Sequence, residues 1–72
     1  MTDTVRLEGI IRNSGYKYSF IAMNLGISYQ ALRNKLDNKS EFLPTEIEAL
    51  CELLNITELK EKNDIFFARF VE

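Results

Sequence analysis

The stretch from Tyr18 to Lys39, YSFIAMNLGISYQALRNKLDNK, is the part of this chain that most constrains its fold. Two amphipathic helical segments meet there at a break, Leu25-Gly26-Ile27. Ile21, Ala22 and Leu25 share one face of the first segment, and Ala31, Leu32 and Leu36 share one face of the second. Gly26 stands where the first helix must stop and the chain must reverse, and glycine reaches positive φ at little cost. Ser28 is placed to cap the second helix, its hydroxyl accepting an orphan amide. Ala22 is small where two crossing helices must approach closely. A helix, a tight turn and a second capped helix make a helix-turn-helix unit over about residues 18–38.

Through Ile21-Ala22-x-x-Leu25-Gly26-Ile27-Ser28-x-x-x-Leu32, followed by Leu36 and Lys39, the chain resembles the Cro/cI-like (Xre-type) helix-turn-helix family of small phage and bacterial regulators. The resemblance spans roughly Leu7 to Ile56. It implies an all-α domain of four to five helices, cytoplasmic in a bacterial host cell, whose second helix-turn-helix helix reads a double-stranded DNA operator. The chain departs from the family at Lys17 and Tyr18, where a small polar cap followed by Gln is usual. It departs again at Lys35, where an apolar residue is usual, and at Asn38, where Gly is frequent.

Seventy-two residues support one domain, 1–72, with a core that is marginal without good helix packing or a partner subunit. Hydrophobic residues make up 46% of the chain, enough to fold. The one cysteine, Cys51, excludes an internal disulfide and fits a reducing compartment. No apolar run approaches the length of a membrane span and no signal peptide opens the chain, so no membrane partner is expected. Histidine is absent, which removes the commonest general base and metal ligand. No nucleophile–base pair, phosphate-cradling loop or metal cluster can be assembled from what remains, so the chain does not read as an enzyme and calls for no cofactor or metal.

The net charge is −2, an unusual balance for a nucleic-acid binder, because phosphate affinity comes largely from Lys and Arg. The distribution matters more than the total. From Gly15 to Ser40, Lys17, Arg33, Lys35 and Lys39 face only Asp37, a surplus of three positive charges. From Glu41 to Glu72, eight acids face three cations. A locally basic helix-turn-helix on an acidic body can still orient on DNA.

In chain order, Thr2, Asp3 or Thr4 can cap a first helix that runs to about Asn13 or Ser14 and buries Leu7, Ile10 and Ile11. Gly15 ends it in the left-handed conformation, and Tyr16 is expected to fold back into the core. Of Phe20 and Met23, one is expected to face a neighbouring helix or a partner. Leu36 is expected to carry the packing that Lys35 cannot. Asn38 tolerates the left-handed stop after the third helix. Phe42 and Leu43 should tether the following loop. A fourth helix begins either at Pro44, which suits a first turn, or at the Thr45-Glu46-Ile47-Glu48 capping box. It buries Ile47, Leu50, Cys51 and Leu54 and turns Glu46, Glu48 and Glu52 to solvent. Cys51 reads as a buried, inert small residue. Thr57 is placed to cap a short turn through Leu59. Ile65 to Val71 is apolar enough for a helix or a short strand, with Phe66 and Phe70 finishing the core.

Two function classes follow. In the first, a phage- or prophage-type transcription regulator acts as a homodimer, with Tyr29, Gln30, Arg33 and Asn34 at base edges, where Gln and Asn can pair with adenine and Arg with guanine. Lys17, Tyr18, Ser28, Lys39 and Ser40 would hold phosphates. In the second, the same fold is an antirepressor or modulator of a lysogeny switch that binds a partner repressor. Tyr29, Phe66, Phe67, Phe70 and Val71 would then form the interface, as they also would in a homodimer.

Overall fold

The computed structural model describes residues 1–68, and these form five α-helices. They are α1 (Thr4–Ser14), α2 (Tyr18–Leu25), α3 (Tyr29–Leu36), α4 (Pro44–Leu53) and α5 (Leu59–Phe66). Among the described residues the architecture is all-α. α2 packs on both α3 and α4, and α1 packs on α5.

Asp3 is the residue that caps α1: its carboxylate accepts from the Arg6 amide at 3.1 Å. Its own amide donates to the Ile65 carbonyl at 2.6 Å, which ties the start of the chain to α5. Leu7 and Ile11 of α1 and Ile65 of α5 are among the most deeply buried side chains. Ile21 and Ala22 of α2, Leu32 and Leu36 of α3, and Ile47, Leu50 and Cys51 of α4 complete the same cluster. Tyr18, Leu25, Ile27 and Leu54 pack against its edge.

Three of the helices stop by one device. At Gly26, Asn38 and Asn55 the chain takes positive φ of 74°, 59° and 57°. The amide of the next residue then reaches back to a carbonyl one turn and more away: Ile27 to Ala22 at 3.0 Å, Lys39 to Asn34 at 2.8 Å and Ile56 to Cys51 at 2.8 Å. These are Schellman closures, which satisfy carbonyls that a helix end leaves orphaned. Ile27 and Ile56 sit just past the left-handed residue and turn into the core, so each stop also fixes where the chain goes next.

Of the two starts open to α4, Pro44 is the one taken, with Leu43 in the cap position. Other expectations need correction. The Glu46 side chain folds back to accept from the Leu43 amide at 2.8 Å. Glu46 is therefore buried, and only Glu48 and Glu52 are solvated. Phe42 is buried, but Leu43 is exposed and does not tether the loop. Tyr16 lies outside the core, 40% exposed, stacked on Phe20 with ring centroids 5.2 Å apart. Glu58, not Thr57, occupies the cap position of α5, without a side-chain cap. α5 resolves the choice between helix and strand as far as Phe66. Phe66 is 2% exposed and meets Phe42 edge to face at 5.8 Å, so it belongs to the core rather than to an interface. Phe70 and Val71 lie outside the described residues.

The largest surprise is Lys35. It replaces an expected apolar contact, yet it is buried. Its ammonium lies 2.8 Å from Glu46 Oε1, donates to the Glu41 carbonyl at 2.9 Å, and stands 5.8 Å from the centre of the Phe42 ring. Two charges out of water are tolerable only when they are paired and hydrogen-bonded, and these are. Every buried side-chain nitrogen and oxygen among the described residues has a partner.

Candidate nucleic-acid interface

α3 is held at both ends. Ser28 Oγ accepts from the Ala31 amide at 3.0 Å, and Asn38 closes the far end. With Leu32, Lys35 and Leu36 directed inward, helical geometry turns Gln30 and Asn34 to the opposite side and leaves Arg33 and Tyr29 on the flank beside them. The structure therefore brings the four base-contact candidates onto one face. Tyr29 is 53% exposed. Gln30 Nε2 donates to Asn34 Oδ1 at 3.1 Å, one turn on, so the two amides form a pair.

Arg33 is the most engaged of the four. Its Nη2 donates to Glu8 Oε1 of α1 at 3.0 Å and to Asp37 Oδ1 at 3.3 Å. Its guanidinium carbon lies 5.6 Å from the centre of the Tyr18 ring, within cation–π range. The hydrogen bond to Asp37, then the charges of Asp37 and Glu8, hold the guanidinium above its ordinary pKa. Glu8 makes the shorter contact, and it comes from outside the α2–turn–α3 unit.

The phosphate candidates divide. Ser28 is occupied as the α3 cap. Lys17 occupies the cap position of α2 without capping it, so the first amides of that helix have no side-chain partner there. Lys17, Lys39 and Ser40 are exposed. Tyr18 is half-buried beneath Arg33. Of the interface candidates, Phe67 is 57% exposed, while Phe66 is in the core.

Sequence reasoning missed three partners. Asp37 carried a signal, because Arg33 and Asp37 are four apart and opposite charges at that spacing meet on a helix. Glu8 carried none, lying 25 positions away from Arg33. The Lys35–Glu46 pair was hidden because both residues looked like ordinary surface charges. The basic surplus of the region is consequently smaller at the surface than in the sequence. Lys35 is spent in the core and Arg33 is shared between two carboxylates, leaving Lys17 and Lys39 as that region's exposed cations.

Cys51 is 7% exposed, and burial pushes its thiol pKa up, away from reactivity. Among the described residues no group of three His, Cys, Asp or Glu is placed to hold a metal, and no helix is long and apolar enough to cross a membrane. No protein-family model, curated protein or solved structure matches the chain.

Proposed function

We propose that this chain is a Cro/cI-like helix-turn-helix regulator of phage or prophage type, one that docks α3 in the major groove of an operator as a homodimer. The observation that carries the reading is the two-sidedness of α3. Leu32, Lys35 and Leu36 anchor one side in the core, while Gln30 and Asn34 lie opposite, with Arg33 and the exposed Tyr29 on the flank. A helix fixed at both ends and packed on α2 is a rigid element, and rigid elements present side chains to base edges reproducibly. The start of α2 without a side-chain cap, with Lys17, and the exposed Lys39 and Ser40 past α3 provide donors for phosphates on either side. In a homodimer the two recognition helices would stand about one DNA turn apart.

The test is selection from a random duplex library, followed by anisotropy titration in rising salt. A palindromic motif bound with steep salt dependence, and weakened in Arg33→Ala and Asn34→Ala, is the expected result. Absence of enrichment at low salt, or binding unaltered in both variants, removes α3 as a DNA reader.

The charges favour a second reading, in which the same face binds a partner repressor as an antirepressor or modulator. The total is −2, and both cations that α3 contributes are already paired within the fold. Tyr29, and the exposed Tyr16 just before α2 with Phe20 and Met23 on it, are of the aromatic and Met type enriched at protein interfaces. Loss of capture of a co-encoded repressor in Tyr29→Ala, with DNA binding undetectable in the parent, would select this reading.

A further inference from the structure

We infer that Glu8 and Asp37 form an acidic latch on Arg33, an internal competitor that a DNA target must displace before Arg33 can read a base. The inference rests on the DNA-binding reading and concerns the control of that same face.

The donor geometry of Arg33 sets the constraint. A guanidinium has five N–H donors and two forked edges, Nε–Nη2 and Nη1–Nη2. Nη2 belongs to both. In this protein both carboxylates sit on Nη2: Glu8 Oε1 at 3.0 Å and Asp37 Oδ1 at 3.3 Å. One nitrogen carries two hydrogens, so both are used. Neither fork is then free for the O6 and N7 acceptors of guanine, the pairing that gives arginine its base discrimination. Nη1 and Nε can still donate singly, which suits a phosphate better than a base.

Charge acts in the same direction. One guanidinium between two carboxylates makes a cluster of net −1, which opposes approach to a phosphate-lined groove. Tyr18 lies against the guanidinium and adds a third restraint, at 5.6 Å from ring centre to guanidinium carbon. The two acids are not equivalent. Asp37 follows the last turn of α3 and moves with it as an i, i+4 neighbour. Glu8 belongs to α1, so its hold on Arg33 ties the reading face to a separate element. The side chains of Arg33 and Glu8 are 32% and 28% exposed, so the contact is open enough to exchange for a competing acceptor. The latch sets a threshold: weak acceptors leave Arg33 on Glu8, and a guanine offering two acceptors at the right register takes it.

The experiment is a double-mutant cycle on DNA affinity, using wild type, Glu8→Gln, Arg33→Ala and Glu8→Gln/Arg33→Ala on the best duplex selected by wild type and the best selected by Glu8→Gln. Far-UV circular dichroism and a denaturation midpoint check that each variant folds. Glu8→Gln should tighten binding by roughly two- to fivefold, the range expected for releasing one ion pair in contact with solvent. The gain should vanish in the Arg33→Ala background, and the Glu8→Gln selection should show sharper guanine preference at one position in each half-site. An equal gain in both backgrounds would mean only that a negative charge had been removed from the DNA-facing side. Weaker binding by Glu8→Gln would make Glu8 a positioning residue that helps Arg33. Either result overturns the latch while leaving the DNA reading intact. If none of the four proteins binds either duplex at low salt, the DNA reading itself fails and the latch fails with it. Binding by Glu8→Gln where wild type shows none would support both.

Discussion

Arg33 and Lys35 stand two residues apart on the same short helix, and they have opposite fates. Two positions along an α-helix is about 200° of rotation, so if one faces solvent the other faces inward. Lys35 goes into the protein, where it meets Glu46, the Glu41 carbonyl and the Phe42 ring. Arg33 stays at the surface between Glu8 and Asp37. Both are ion-paired, yet the pairs do different things. The Lys35 pair closes the connection between α3 and α4: Glu46 simultaneously accepts from the Leu43 amide at the start of α4, so one carboxylate serves a helix start and a buried cation. The Arg33 pair links α3 to α1 at the rim, where water and salt compete with it. Counting basic residues in a segment therefore says little about its attraction for phosphate. What matters is which face of the helix each cation leaves by.

The largest effect is expected at Lys35. Replacing it with Met removes the cation and leaves the Glu46 carboxylate buried beside an apolar side chain. Breaking one partner of a buried pair costs several kcal/mol, because the remaining charge is uncompensated. We expect Lys35→Met to lower unfolding free energy by about 3 kcal/mol, measured by urea denaturation. The pair Lys35→Met/Glu46→Gln should recover at least half of the loss, because Gln keeps an acceptor for the Leu43 amide and carries no charge. A loss below about 1 kcal/mol in the single variant would place Lys35 with the exposed ion pairs and make it energetically equivalent to Arg33.

How much of this was legible in the sequence depends on the range of the interaction. The α2–turn–α3 unit was readable because everything that defines it is local: Gly26 at the reversal, Ser28 as the cap, and apolar residues at helical spacing. The left-handed stop at Asn38 was readable for the same reason. Asn55 closes α4 in the same way, and Asn followed by a core isoleucine is a local signal of the same kind. Tyr16 misled because aromatic size suggests burial, whereas here its partner is Phe20 at the surface. The end of the described chain was ambiguous because Ile65 and the phenylalanines suit a helix or a strand equally. The hydrogen bond from Asp3 to the Ile65 carbonyl and the packing of Phe66 on Phe42 are long-range facts that no window of sequence contains. The candidate site divides in the same way. Which residues of α3 face outward followed from periodicity, and what Arg33 touches did not.

A smaller effect is expected at the helix ends that frame α3 and α4. Asn38 and Asn55 hold positive φ of 59° and 57°. Alanine in that region meets its own carbonyl, at a cost of about 1 kcal/mol per site, while glycine does not. Asn55→Ala should therefore destabilise by about 1 kcal/mol and Asn55→Gly should not. Asn38→Ala should behave alike, and under the DNA-binding proposal its affinity for a selected duplex is the more interesting measurement, because the closure at Asn38 positions Lys39 beyond the end of α3. A fall in affinity larger than the change in stability explains would show that the geometry of the α3 end, and not merely its folding, matters to the reading face.

The smallest stability effect is expected at Arg33, and this is what makes the contrast with Lys35 informative. Arg33→Gln removes the cation from a cluster in contact with solvent. Glu8 and Asp37 are then relieved of a partner but remain hydrated, so no buried charge is orphaned. The denaturation midpoint should stay within measurement error of wild type, whereas Lys35→Gln should shift it clearly. Salt sharpens the difference further. Raising ionic strength should leave the Lys35 contribution nearly constant, because the pair is shielded from ions, and should diminish whatever small coupling exists between Arg33 and Glu8. If Arg33→Gln proved as damaging as Lys35→Gln, the rim pair would be holding α1 to α3. Arg33 would then be a structural residue, unavailable to a base, and the reading face of α3 would reduce to Tyr29, Gln30 and Asn34, with no side chain suited to guanine. A protein partner would then be the better match to that face, since an aromatic ring flanked by two amides offers contact area and hydrogen bonds but little pull on phosphate.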